Sequence, residues 1–255
     1  FARFNVQGAE PGAWNVTVTN PDLASASFPY TVHEGAPAKL ETNLVLPATV
    51  GYHTTATIYV EYSNTWGAPM PAPLLVLTAS QNGRQAALLT LDKSRLVSGF
   101  WTSAIPEGFA NSVQFIASGG TPGLLRPGES GRVPVYYAGW QLPWDFRYPP
   151  VNWNLGVLTA DDPTVVDWAA LKADMRPPYI RNDAWDTLWA SFTNKVGPTW
   201  GDYVSSLSEN AVYLSQLGQR VEDIGKLLAF EFLQADGLSP LRTLASAVDA
   251  AVEAP

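Results

Sequence analysis

The spacing of apolar residues along the chain changes near residue 158. Before that point, apolar residues recur at every second position in short runs, as in residues 56–62. A period of two is typical of β-strands that bury one face. After it, apolar residues recur every three or four positions, as in residues 185–196, which indicates amphipathic helices. The pattern predicts a segregated α+β protein, with the strands first and the helices second.

The β-type region divides into two parts. Residues 36–158 contain about seven short alternating runs separated by Pro, Gly and Asn turns, which predicts an immunoglobulin-like (Ig-like) antiparallel β-sandwich. Residues 1–35 hold strands at 14–19 and 28–32. So few short strands cannot bury two faces, and we therefore interpret 1–35 as the closing strands of an upstream β-module.

Residues 159–255 are predicted to form a small helical bundle. Helix starts are indicated by N-cap residues or a following proline, and they lie at Asp161 or Asp162 with Pro163, at Asn182, at Thr199 and at Ser239 with Pro240. Gly197 and Gly237 are typical helix ends. Two alternatives remain for Gly218, which either ends the third helix or lies inside one long helix.

Two stretches of the β-type region resemble known families. Gly51 to Gly67, which includes Ile-Tyr-Val-Glu-Tyr-Ser-Asn-Thr-Trp-Gly, and Leu125-Arg-Pro-Gly-Glu129 resemble the CARDB-type modules of large bacterial extracellular proteins. Pro11 to Asp22 is similar to the closing strands of TIG-like β-sandwich repeats. The resemblance covers roughly residues 1–137 and leaves the helical segment unmatched. It implies an Ig-like fold that acts as a spacer or an adhesive surface.

Composition and charge narrow the possible partners and compartments. The formal net charge of -8 makes nucleic acid an unexpected partner. No apolar run reaches the roughly 18 residues that a membrane helix needs, so membrane insertion is not expected. The absence of cysteine excludes disulfides and thiolate chemistry. With few lysines, this composition favours an extracellular or cell-surface protein. Because the chain starts with Phe and shows no signal peptide, we expect a processed or excised piece.

The titratable residues predict no catalytic, metal or cofactor site. His33 and His53 lack the spacing of metal ligands. Carboxylates crowd at Asp161-Asp162, at Asp183 with Asp186, and at Glu222-Asp223, where the N-terminal ends of helices already favour negative charge. A hydrolase that uses these carboxylates is the weakest of the three functions considered.

One segment, residues 139–158, is unusually aromatic. Its candidate contact residues are Trp140, Trp144, Phe146, Tyr148 and Trp153. Such rings beside amides can stack on sugars. The same rings can also fill a dry junction between a sandwich and a helical bundle, and the position of the segment at the predicted boundary favours this second interpretation.

These observations predict a non-enzymatic structural and interaction module of a large secreted or surface-attached bacterial protein. It would serve as a rigid spacer and as an assembly or adhesion surface, for example along a filament. Its partners would be neighbouring modules of the same polypeptide or other copies of the protein. The alternative is a carbohydrate-binding accessory module whose glycan ligand stacks on Trp140, Trp144, Tyr148 and Trp153.

Overall fold

The protein is an α+β molecule with antiparallel sheets, as the sequence predicts at this level. A computed structural model describes residues 9–19, 25–32, 37–48, 54–80, 88–96, 108–138, 150–176, 180, 182–221 and 223–235. Within these ranges the strands are β1 Gly12–Thr19, β2 Ser25–Val32, β3 Leu40–Val45, β4 Ala56–Asn64, β5 Met70–Pro71, β6 Leu74–Ser80, β7 Leu89–Thr90, β8 Ser112–Ile116, β9 Leu124–Leu125, β10 Ser130–Tyr137 and β11 Asn152–Leu158. The α-helices of the same ranges are α1 Trp168–Leu171, α2 Asn182–Val196, α3 Trp200–Gln216 and α4 Ile224–Ala235.

Two antiparallel sheets pack face to face. One has the strand order β3-β4-β10-β7 and the other β11-β6-β8. Every second residue of β4 faces the space between them, as the alternation of residues 56–62 predicts, and Ile58 and Val60 are fully buried there. Leu75, Leu77 and Phe115 of the second sheet meet them in one apolar cluster. This cluster is the core between the sheets.

Strand β6 is buried on both faces. Its residues Leu75, Leu77 and Ala79 face the first sheet, whereas Leu74 and Val76 pack against the helices. A strand that is covered on both sides reads as a continuous apolar run rather than an alternation. This explains the sequence Leu-Leu-Val-Leu at residues 74–77, and it makes the architecture three-layered, with sheet, sheet and helices in that order.

The helices join the second sheet through one aromatic core. Partly buried Trp168 packs against this core, with ring contacts of the edge-to-face type to Trp189, Phe192 and Tyr203 at centroid distances of 5.6–5.9 Å. Its indole Nε1–H donates to the carbonyl of Gly197 at 3.0 Å. The buried stripe predicted on α2, which includes Trp189 and Phe192, is confirmed as core. Trp168 was not among the predicted core residues.

Two direct contacts fix α3 against the sheets. Ser208 Oγ donates to the carbonyl of Ala72 at 2.9 Å, and both atoms are buried. Gly123, with φ +77°, lies so close to α3 that a Cβ atom there would come within 2.1 Å of the Ser208 carbonyl oxygen. Only glycine allows this backbone approach.

Among the described residues, the helix ends predicted at Asn182, Gly197 and Thr199 are confirmed. The predicted end at Gly237 and the predicted start at Ser239 with Pro240 lie outside the described residues. Thr199 caps α3 in a capping box with Asp202, as its position predicts. Gly218 has φ +77°, and Gln219 N–H donates to the Leu214 carbonyl at 2.9 Å, which ends α3 and decides between the two alternatives for Gly218. The helix start predicted at Asp161 or Asp162 with Pro163 is wrong. The Asp162 carboxylate accepts from Thr164 N–H instead, in a turn, and α1 starts later with Asp167 as its N-cap.

Part of the aromatic segment 139–158 is a regular strand. Residues 152–158 form β11, which pairs with β6 from Asn152↔Ser80 to Leu158↔Leu74. The aromatic residues and the position at the predicted boundary favoured a junction here rather than a strand. Their pairing to β6 supplies the strand character that the local pattern lacks.

We expect Trp168→Ala to lower the free energy of unfolding by about 3 kcal/mol, because it removes a ring that contacts three other rings and leaves a void. Trp168→Phe should cost about 1 kcal/mol through loss of the hydrogen bond to Gly197. Urea unfolding measures both. Val165→Ala is the matched control, since Val165 is 72% exposed nearby and such changes fall within about 0.5 kcal/mol. Equal losses for Trp168→Ala and Val165→Ala would show that the ring contacts of Trp168 do not stabilise this core.

Candidate functional site

Strands β1 and β2 form a hairpin with an exposed apolar face. Residues directly opposite in an antiparallel pair point to the same side. The register pairs Trp14 with Tyr30, Val16 with Phe28, and Val18 with Ala26, so these side chains share one face. Trp14 is 49%, Phe28 62% and Tyr30 50% exposed. None of the hairpin's side chains belongs to the hydrophobic clusters of the described residues.

The hairpin face is ordered and electrically neutral. The Trp14 indole Nε1–H donates to the carbonyl of Glu10 at 2.9 Å, which holds one ring in place. On the opposite face, the hydroxyls of Thr17 and Ser27 lie 3.2 Å apart across the strands. Neither β1 nor β2 contains a charged residue. An isolated two-stranded hairpin is marginally stable in water, so this face is a candidate for coverage by another apolar surface.

The structure describes one of the five aromatic residues predicted as contact residues. Trp153 is half-buried on β11 and packs between the two sheets, where its ring meets that of Tyr137 edge to face at 5.5 Å. Burial in the same cluster raises the pKa of Tyr137. Trp140, Trp144, Phe146 and Tyr148 lie outside the described residues, so their role stays a prediction. Trp153 itself contributes to the core of the sheets rather than to the contact between sheet and helices.

The described carboxylates of the predicted clusters make local structural contacts. Asp161 accepts from the Thr159 hydroxyl. Hydrogen bonds from the Thr164 side chain and then from its backbone hold the pKa of Asp162 below its usual range. Asp223 accepts from Lys226 N–H at 2.9 Å at the start of α4, and Asp186 forms an ion pair with Lys172 at 2.6 Å. The histidines, Glu222 and the Asp183 side chain lie outside the described residues.

A buried carboxylate that the sequence analysis missed joins three helices. Glu231 on α4 is 2% exposed. It accepts from Lys195 Nζ on α2, and from Ser206 Oγ and Asn210 Nδ2 on α3. A buried charge is tolerated only when it is paired and hydrogen-bonded. The sequence signal for this residue is a lone glutamate between Phe230 and Phe232 in an apolar helix. Because its carboxylate links α4 to α2 and α3, we call Glu231 and these contacts a structural clamp.

A cavity of about 490 Å³ lies where α3 and α4 meet the short strands β5 and β9. Its walls include the stacked rings of Tyr213 and Phe230, whose centroids are 5.8 Å apart. At one end, Gln234 Nε2 donates to Asn210 Oδ1 at 3.2 Å. The cavity is therefore apolar along its sides, with amide groups at the end nearest the last turn of α4.

The described residues include neither a membrane-spanning helix nor a group of metal ligands. No helix among them combines the length and the apolar character that a membrane crossing requires. In the same ranges, no three His, Asp or Glu side chains are grouped so that they could hold a metal ion.

Comparison with known proteins does not assign a family. No family model matches the chain, and no curated protein matches it. Among solved structures, the chain is similar to AvmM, which is described as catalysing macrocyclization in alchivemycin A biosynthesis. The similarity has a TM-score of 0.27 and 14% identity, and it covers 46% of this chain and 86% of that one. A likeness at this level carries no argument about fold or activity.

Acid should weaken the start of α3. Hydrogen bonds from the Thr199 hydroxyl and then from its backbone N–H lower the pKa of Asp202. A carboxylate whose pKa is lower in the folded state stabilises that state, and the stabilisation is complete above the pKa of the unfolded chain, about 3.9. It is lost as the pH falls through the pKa of the folded state. We expect Asp202→Asn to be about 1 kcal/mol less stable than the parent at neutral pH, with the difference shrinking below about pH 4.

Urea unfolding at a series of pH values measures this difference. Thr199→Ser is the matched control, because it keeps the hydroxyl that donates to Asp202 and should retain the acid dependence of the parent. A difference between parent and Asp202→Asn that stays constant from neutral pH into acid would show that the capping box does not titrate as described.

Proposed function

We propose that the protein is a non-enzymatic structural and interaction module of a large secreted or surface-attached bacterial protein. The observation that carries the proposal is the exposed apolar face of the β1–β2 hairpin, with its rings Trp14, Phe28 and Tyr30. An ordered apolar face of this kind, rimmed by polar residues, is typical of a protein–protein contact.

The partner proposed for this face is the same face of another copy. The whole molecule carries a formal net charge of -8, which opposes self-association in general. The two hairpin strands have no charged side chain, so this repulsion is weakest where two copies would meet there. Aromatic residues are enriched at the centres of protein interfaces. Two such faces packed together would form a small four-stranded sandwich between copies.

The remainder of the described structure suits a rigid spacer. The second sheet packs against the first sheet on one side and against the helices on the other. Its strand β6 contributes side chains to both contacts. The clamp at Glu231 and the contact from Ser208 to Ala72 add polar links between elements. Tight packing on both sides of one sheet resists relative movement of the layers, which is what a spacer must supply.

The finer fold assignment belongs to the same proposal. Two antiparallel sheets of four and three strands, packed face to face, have the strand count of the simpler immunoglobulin-like sandwiches. The resemblance of residues 1–137 to CARDB- and TIG-type modules agrees with an Ig-like form and with an extracellular or cell-surface setting. We therefore propose an Ig-like sandwich whose second sheet carries a helical layer.

Sedimentation velocity over a range of protein concentrations tests the contact. We expect the parent chain to associate reversibly, and Phe28→Ser to weaken this association roughly 1,000-fold, since a dimer of the variant loses two buried rings that each contribute about 2 kcal/mol. Trp14→Ser should act in the same direction. Thr17→Ser, on the opposite face of the hairpin, is the matched control and should associate like the parent.

Three outcomes would count against the proposal. A parent chain that stays monomeric at every concentration would exclude the contact between copies. A neighbouring module of the same polypeptide would then be the partner to test at this face. Association that Phe28→Ser leaves unchanged would move the contact elsewhere. A saturable change of tryptophan fluorescence with a soluble polysaccharide, removed by Trp144→Ala, would favour the carbohydrate-binding alternative.

A further inference from the structure

The cavity between α3, α4 and the short strands β5 and β9 has the size and composition of a small-molecule site. Its volume of about 490 Å³ lies within the roughly 300–1,000 Å³ that is typical of ligand-binding clefts. Pro71, Leu124 and Val212 form apolar walls, and the stacked rings of Tyr213 and Phe230 form a further wall. Because aromatic rings attract one another edge to face and in offset stacks, these walls favour a ligand with an aromatic ring.

Polar contacts hold the walls of the cavity in place. Ser208 and Gly123 line it, and they are also the points at which α3 is fixed against the sheets. At the end of the cavity, the contact from Gln234 Nε2 to Asn210 Oδ1 joins α4 to α3. A site whose walls are already fixed loses less conformational freedom when a ligand binds, which favours affinity.

The amide end of the cavity leads into a second, polar cleft with an excess of negative charge. Glu209, Asn210 and Gln234 line both spaces, and the cleft has a volume of about 360 Å³. Among its described lining residues, three carboxylates and one ammonium are charged: Asp202, Glu209, Glu231 and Lys195. The ammonium of Lys195 already donates to Glu231 and Gln234. The local charge therefore favours a cation over an anion.

We propose that the cavity and the cleft together bind a small aromatic amine, in which a short chain separates the ring from an ammonium group. The ring lies in the cavity against Tyr213 and Phe230, and the ammonium group points into the cleft beside Glu209. None of the described residues that line the cavity carries a positive charge, so an aromatic carboxylate of similar shape is disfavoured. The β1–β2 hairpin lines neither space, and the inference is therefore independent of the contact between copies.

Isothermal titration calorimetry of the full chain with three matched probes tests the ligand class. The probes are phenethylamine, phenethyl alcohol and hydrocinnamate, which share the phenyl ring and a two-carbon chain and differ in charge at neutral pH. We expect saturable binding of the amine, at least about fivefold tighter than that of the alcohol, and the weakest binding for the carboxylate. Added salt should reduce the difference between amine and alcohol, because salt screens exposed charges.

Val212→Trp tests the position of the ring. The larger side chain should fill the cavity and weaken binding of the amine at least about tenfold, since little space remains for a second ring. The matched control is Leu217→Trp, which adds a ring at a position on α3's C-cap that is 50% exposed and lies outside both linings. It should bind the amine like the parent. Circular dichroism and urea unfolding check that both variants keep the fold.

Glu209→Gln tests the position of the ammonium group without repacking, because Glu209 is exposed. It should weaken binding of the amine about fivefold and leave binding of the alcohol unchanged. The matched control is Asp186→Asn, which removes one negative charge from an exposed position on α2 outside both linings. It should bind the amine like the parent.

The proposal fails under any of three results. Absence of saturable binding for all three probes would show that the cavity is not a site for such ligands. Equal affinities for the amine, the alcohol and the carboxylate would show that the carboxylates of the cleft do not select the ligand. Binding of the amine that Val212→Trp leaves unchanged would place the ring outside the cavity.

Discussion

The structure depends on the burial of β6 on both of its faces. Leu75 and Leu77 pack toward the first sheet, and Leu74 packs toward the helices. A strand with both faces in apolar contact couples the two cores, because any displacement of one layer disturbs the packing of the other. The loss of either neighbouring layer would expose a complete apolar face of the second sheet to water. The three layers are therefore interdependent.

Aromatic side chains carry most of the contact between sheet and helices. The rings of Trp168, Trp185, Trp189, Phe192 and Phe232 form a continuous set of edge-to-face and tilted pairs. Such geometry adds to the stabilisation from buried area alone. Polar side chains of the helices form hydrogen bonds with the buried polar groups of this region. Ser206 donates to the Glu231 carboxylate, and Ser208 donates to the carbonyl of Ala72.

The hairpin differs from the rest of the molecule in one physical respect. Its apolar face is exposed, whereas the apolar faces of β4 and β6 are covered. Burial of apolar area is the main driving force for both folding and association, so an ordered but uncovered face is the strongest reason to look for a partner there. This contrast between covered and uncovered faces links the fold to the proposed role as an interaction module.

The sequence by itself determined the class, many of the elements and several helix ends. Period-two alternation located β4, and the apolar stripe located α2, because these patterns reflect burial on one face. Local chemistry was sufficient for Thr199 and Gly197, whose capping roles involve residues only a few positions away. It was misleading at Pro163, where Asp162 makes a turn with Thr164 instead of starting a helix.

Only the tertiary structure decided which surfaces meet. The strand character of β11 comes from its pairing with β6, about 80 positions away in sequence, and no local pattern contains that partner. The same holds for Trp168, whose ring contacts come from α2 and α3, and for Glu231, whose partners lie on the same two helices. The sequence shows that a side chain is aromatic or charged, but its neighbours are set by packing of distant elements, which depends on the whole chain.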